Sequence, residues 1–392
     1  MIIKKIFLAP LLVFIYQLSA KAVEYKNAEF DFYGHKVTIK YVNNLNDKRY
    51  ESAVEQFIER FDEEGSGSYY VHVVNQLRQT ATNFGLDDVG RLFLINTFAE
   101  TEFARHHQNF RTVLKWKLLY YDSMDVMLCY NSKNVYLYGN LSFSPCGVTY
   151  LQKEGKTYTD LTFVTTRRPI ERVYEYIPDD YKKIPKSVIK FNALAYPKLN
   201  ALTTSKTFDF TYGEKKYSFN ADINESLVKY LKDLPLMELG SVYGNYGFSD
   251  NLKSTLIVQL KTAIKGMSKY DALGFLLKFV QNIPYKTDQE YLGKERYSYC
   301  EEALYNDYAD CEDKVILYAA LAKELLGVKS VALMYEKDEH AAIALDLPEG
   351  AAKYSFTYLG TRYVAAEPSG TGFELGQVGF DLKRVTEVIE LF

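Results

Sequence analysis

The chain has 392 residues, with 47 Lys and Arg against 50 Asp and Glu, a formal charge of −3 and 47% apolar residues, which excludes disorder as its main state. The near-balanced charge lacks the footprint of a general nucleic-acid binder, and four cysteines are too few for a scaffold built on disulfides. Aromatic residues make up 15%, with 35 Tyr and 24 Phe; tyrosine buries area while keeping a hydroxyl wet, which suits strands and grooves.

In chain order, Lys4 and Lys5 precede an apolar run from Ile6 to Tyr16, and Ala20-Lys21-Ala22 follows as an A-x-A cleavage signature. This predicts a signal peptide over residues 1–22 and an exported protein, periplasmic or extracellular. The run contains Pro10 and falls short of the roughly 20 residues that span a bilayer. No later segment is long and apolar enough to span.

Phe30-Asp31-Phe32-Tyr33-Gly34-His35-Lys36 recurs as Phe208-Asp209-Phe210-Thr211-Tyr212-Gly213-Glu214-Lys215, and both lead into alternating strand patterns. Asp87, Val89, Gly90, Leu92, Phe93 and Ile95 match Asp271, Leu273, Gly274, Leu276, Leu277 and Phe279 at helical spacing. The helical stretch Phe110 to Tyr121 then lines up with Cys311 to Leu326, and Val126–Tyr130 with Val331–Tyr335. Four collinear matches predict two copies of one α+β unit, over 23–165 and 207–392. Between them, residues 166–206 hold Pro169, Pro178, Pro185 and Pro197, a density that interrupts helices and central strands and predicts a connector.

The second copy carries the chemistry. Asp310-Cys311-Glu312-Asp313 opens an apolar-periodic helix that stops at Gly327, so Cys311 lies in the first turn, where helix N–H groups favour thiolate. A strand from Val331 to Tyr335 follows, then a polar turn, then His340 at the start of a second strand. A third strand, Tyr363 to Ala366, ends at Glu367 before Pro368-Ser369-Gly370. Adjacent antiparallel strands can set His340 beside Glu367. The order is nucleophile, base and orienting carboxylate. His340 is the only histidine after residue 107, which also argues against a zinc site; no cofactor or metal is expected.

The runs Glu301-Glu302-Ala303-Leu304-Tyr305, Ala309-Asp310-Cys311-Glu312-Asp313-Lys314, Glu339-His340-Ala341-Ala342-Ile343-Ala344 and Ala366-Glu367-Pro368-Ser369-Gly370 resemble the transglutaminase-like superfamily of papain-type cysteine hydrolases, in its exported bacterial branch. The resemblance implies a helix packed on an antiparallel sheet, a Cys–His–acid triad of Cys311, His340 and Glu367, and acyl transfer from amides of peptides or proteins to water or an amine. Glu367 stands where the family usually has Asp. Tyr297, Tyr299 and the backbone N–H of Cys311 are candidate oxyanion donors. The rival reading is a non-enzymatic envelope-binding or scaffold protein that retains the fold.

Aligned on the helix starts and strands, the first copy has Phe110, Val135 and Thr162 opposite the triad. None can do the chemistry, so that copy is expected to be degenerate. Cys129 and Cys146 flank a predicted hairpin and leave a disulfide open, whereas Cys300 is expected to be buried rather than paired with Cys311.

Overall fold

The computed structural model describes residues 24–43, 53–63, 67–165, 172–178, 183–192, 195–240, 242–347 and 355–392; the predicted leader, residues 1–22, lies outside them. The first Phe-Asp-Phe stretch closes strand β1 (Tyr25–Phe32), which pairs antiparallel with β2 (His35–Val42) around Tyr33-Gly34. Both turn residues have left-handed φ, 51° and 90°, as a two-residue hairpin turn requires. Helices α1 (Val54–Glu63), α2 (Gly67–Asn83), α3 (Asp88–Glu102) and α4 (Gln108–Tyr121) follow. Next come β3 (Val126–Tyr130), β4 (Val135–Asn140), β5 (Tyr150–Lys153), β6 (Lys156–Asp160), the short α5 (Thr162–Thr165) and β7 (Tyr174–Tyr176). These strands form one antiparallel sheet in the order β5-β6-β4-β3-β7.

The second half repeats the plan. Hairpin β8 (Thr203–Tyr212) and β9 (Lys215–Asn224) leads into α6 (Glu225–Asp233). A longer helical run follows, made of α7 (Asp250–Leu252), a π-helical turn at Lys253–Ile257 and α8 (Val258–Ala263). Then come α9 (Lys269–Gln281), α10 (Asp288–Tyr291), α11 (Cys300–Tyr305) and α12 (Cys311–Leu326). Strands β10 (Ser330–Tyr335), β11 (His340–Asp346), β12 (Ser355–Tyr358), β13 (Thr361–Ala366) and β14 (Glu387–Leu391) close the chain. Their order, β12-β13-β11-β10-β14, is the first sheet's order with each strand replaced by its counterpart. The chain is therefore a mixed α+β protein with two sheet regions of one topology, as tandem copies require.

A second correspondence lies outside the sheets. Gln76 of α2 accepts from Lys40 N at 2.9 Å and donates to Lys40 O at 2.8 Å, closing the outer edge of β2. Gln259 of α8 does the same to Asn220 on β9, at 3.2 and 2.7 Å. Each glutamine also donates to the carbonyl four residues back, His72 and Thr255.

Inside residues 166–206, β7 joins the first sheet and β8 already opens at Thr203. Ser187 and Ile189 bridge to Met124 and Leu141, and Ile189 and Leu199 are buried, so this proline-rich stretch runs along the first half. The halves meet where Tyr33 Oη donates to Asp233 at 2.8 Å and Phe93 packs edge-on against Tyr230. All four cysteines are free, and Cys129 is buried while Cys146 is exposed; the Cys129–Cys146 disulfide is not formed. Cys300 is buried, as expected. Among the described residues no helix is long and apolar enough to cross a membrane.

Candidate active site

Cys311 is the first residue of α12, and Asp310 caps that helix by accepting from Asp313 N at 3.1 Å. The far end stops at Gly327, whose φ of 64° is the left-handed conformation of a helix C-cap. Strand β10 returns into β11 with Tyr335 opposite His340, so His340 is the first residue of its strand. β13 lies antiparallel beside β11 with Ala366 opposite Ile343, and Glu367 follows directly. The expected pair forms: His340 Nε2 and Glu367 Oε2 are 2.9 Å apart.

Glu367 is buried, 2% exposed, and held from several sides. Its Oε1 accepts from Ser369 Oγ at 2.5 Å, and its main-chain oxygen accepts from Gln281 Nε2 at 2.9 Å. A weaker contact runs from Gly379 N to Oε2 at 3.5 Å. Gly370 lets the loop turn tightly here, because a Cβ there would meet the Phe373 ring at 2.5 Å and Glu367 Cγ at 3.1 Å. The imidazole of His340 rests on Phe380, ring centres 4.7 Å apart. This clamp accommodates the extra methylene of Glu relative to Asp.

The thiol is placed differently. Cys311 Sγ donates to Glu312 Oε2 at 2.8 Å, and the Tyr285 phenol and the backbone N–H of Ala341 lie near enough to bear on its charge. Among the described residues, no hydrogen bond joins Sγ to His340. Strand alternation is the reason: Ala341 packs into the core that contains α12, whereas His340 shares the opposite face with Tyr335 and Phe380. Cys311 thus lies near the residue next to His340, and His340 Nδ1 is the ring nitrogen not held by Glu367.

The expectation that the helix start favours thiolate is corrected. Burial, then the Glu312 carboxylate, push the Cys311 thiol far above its ordinary range, and Asp310 adds to this. Burial takes the thiol out of water, and the neighbouring carboxylates oppose a second negative charge. The neighbourhood is acidic throughout. Burial, followed by Glu295, pushes Asp288 up to about 6, and burial, followed by Asp313 and Glu312, raises Asp310. One carboxylate oxygen from each of Asp288, Glu295 and Asp310 lies within 4.8 Å of the others, a set of hard oxygen donors that could hold a divalent cation. Lys314 lies buried on the same turn, donates to Ile283 O at 2.6 Å and is lowered to about 8 by burial.

Of the suggested oxyanion donors, Tyr299 is buried in the core against Tyr243 and Tyr246, centres 4.5 and 5.2 Å away, and does not reach the sulfur. Tyr297 is raised to about 12 by burial and then by Glu312, which sets it at the acidic rim. Tyr285, missed in the sequence, is the tyrosine that lies beside the thiol. It gets there because Tyr285 bridges to Ala309, a pairing across 24 residues that no local pattern signals.

In the first half, α4 starts at Gln108 after an N-cap at His107, so Gln108 rather than Phe110 takes the place of Cys311. Tyr130 opposite Val135 repeats Tyr335 opposite His340, which leaves Val135 where it was expected. Tyr138 opposite Asp160 corresponds to Ile343 opposite Ala366, so Leu161 rather than Thr162 stands for Glu367. No family model matches the chain, and no curated protein or solved structure matches it significantly.

Proposed function

We propose that the chain is an exported transglutaminase-like cysteine hydrolase or acyltransferase acting on amide bonds of peptides or proteins. The observation that carries this reading is the His340–Glu367 pair at 2.9 Å, with the helix-start cysteine Cys311 near the next residue of that strand, Ala341. In the proposed cycle Cys311 Sγ attacks the amide carbon while its proton passes to His340 Nδ1. Glu367 holds the imidazole by Nε2 and stabilises the imidazolium. The oxyanion is met by Tyr285 Oη and the Cys311 N–H. Collapse breaks the C–N bond, His340 returns the proton to the departing amine, and water or a second amine then attacks the thioester. Export rests on the sequence of residues 1–22.

The reaction requires Sγ to leave Glu312, since the resting thiol is protonated and bonded to a carboxylate. That contact is the observation favouring the second reading, a binding or scaffold protein that keeps the fold without turnover. Iodoacetamide labelling, with mass spectrometry on an envelope-peptide library, separates them. Cys311→Ala should abolish turnover, a loss on the order of 10⁴-fold or more, whereas Cys300→Ala should keep it. His340→Ala should flatten the pH profile of Cys311 labelling. Equal loss from both cysteine variants would end the assignment.

A further inference from the structure

The hairpin β8–β9 has two unlike edges. Because Gly213-Glu214 is a two-residue turn, Tyr212 and Lys215 form a hydrogen-bonded pair, and so do Phe210, Phe208 and Lys206 with their partners on β9. The residues between them, Ser205, Thr207, Asp209 and Thr211, turn their N–H and C=O groups outward. On β9 the outward groups are covered: Asn220 by Gln259, and Asp222 N by Thr255 Oγ1 at 3.1 Å. On β8 the only outward main-chain group with a partner among the described residues is Asp209 O, which accepts from Asn282 Nδ2 at 2.6 Å. The N–H and C=O of Thr207 and the N–H of Asp209 have none.

These groups lie at a concave part of the surface. They border a groove of about 550 Å³ whose near wall is Lys206 to Asp209 and whose far wall is Asn282, Pro284 and Tyr308. The far wall leads toward Cys311, since Tyr308 lies three residues before it, and Tyr285, next to Pro284, lies beside its thiol. Three extended residues span at most about 10 Å, so the Cα atoms of Tyr308 and Cys311 lie no farther apart than that.

We infer that this groove takes an extended polypeptide segment, which adds to the open edge of β8 as an extra strand and so carries a neighbouring amide to Cys311. An uncovered strand edge is a template for another strand, and its main-chain bonds give affinity without selecting side chains. The substrate class is accordingly an unfolded or loosely held peptide segment, rather than a side-chain amide displayed on a folded surface. The inference rests on the hydrolase reading for its purpose, but the binding itself does not need turnover.

The test uses the full chain with Cys311→Ala and fluorescein-labelled casein, an unstructured polypeptide, followed by fluorescence polarisation. Proline at an outward position of an edge strand removes one N–H while leaving the hairpin's own bonds. Thr207→Pro should weaken casein binding at least tenfold, Thr207→Ala should leave it unchanged, and iodoacetamide labelling of Cys311 in the otherwise native Thr207→Pro chain should keep its rate. Asp209→Pro, which deletes the other outward N–H bordering the groove, serves if Thr207→Pro fails to fold. The groove assignment is overturned if casein does not bind, if binding survives a folded proline variant, or if Thr207→Ala weakens it equally. Casein binding that obeys these rules without any cleavage by the native chain would instead count against the hydrolase reading alone.

Discussion

The two halves share a topology and differ at the three positions where the second carries Cys311, His340 and Glu367. Each of the three lies at the end of an element: Cys311 opens α12, His340 opens β11, and Glu367 follows β13. The first half has Gln108, Val135 and Leu161 there, and Val135 and Leu161 are buried apolar residues, 1% and 0% exposed. Element ends are supported by the core without being needed to fill it, so a functional side chain can be placed or lost there while the sheet order survives. The difference also shows in the helices. α2 is a regular helix, whereas its counterpart contains the π-helical turn Lys253–Ile257, and such turns are frequent at functional sites.

If the first half is structural, its core should matter for stability and not for catalysis. Phe110 is fully buried and packs against Phe61, Phe103 and His106, with ring centres 5.5, 5.6 and 4.3 Å away. Phe110→Ala should cost roughly 3–5 kcal/mol through lost burial and the cavity left behind. Chemical denaturation should show the loss, while the labelling rate of Cys311 in the remaining folded protein stays unchanged. An unchanged melting temperature together with lost labelling would mean that the first half enters the working site.

Much of this was legible in the chain because it is written locally. The Phe-Asp-Phe repeats, the apolar period of α12 and the strand–turn–strand around His340 locate each hairpin and sheet, and the chain order of Cys, His and Glu points to the pair that forms. What was not legible is non-local. The contact of Tyr285 with the thiol depends on its bridge to Ala309. The clamp on Glu367 draws on Gln281, 86 residues earlier. Asp288 and Glu295 fold back onto Asp310, and the depth of burial that, with Glu312 and Asp310, raises the thiol is likewise set by the tertiary fold. Nor does the proline density of residues 166–206 signal that Ile189 is buried and bridges to Leu141.

The halves also differ in buried charge, and pH can expose it. Glu301 in α11 is fully buried; its Oε1 accepts from Asn224 N at 3.0 Å and Ser249 Oγ at 2.9 Å, and its Oε2 has no partner. Burial pushes it up to about 7. A carboxyl raised in the folded state contributes stability that is fully present below its unfolded value and is lost as pH rises through its folded value. That window runs from about 4.5 to 7 here, and the shift corresponds to about 3 kcal/mol. Glu301→Gln removes the ionisation, so native stability minus variant stability should fall by about that amount between pH 4.5 and 8. A difference that is flat with pH would mean that Glu301 does not titrate in this range.

The smallest expected effect is the sharpest test of the repeat. Gln76 and Gln259 each hold one edge residue, Lys40 and Asn220, by two main-chain bonds. Both partners are exposed, so water can replace the lost bonds, and each Gln→Ala change should cost only about 1 kcal/mol. Gln76→Ala should cost slightly more, because in the second half Thr255 still holds the neighbouring Asp222 N. Amide hydrogen exchange should speed up at Lys40 in one variant and at Asn220 in the other, each without effect on the opposite half. The two changes lie in separate hairpins with no shared partner, so their costs should add to within about 0.5 kcal/mol. A larger departure would mean that the halves unfold as one coupled unit, and that their likeness is one of layout alone.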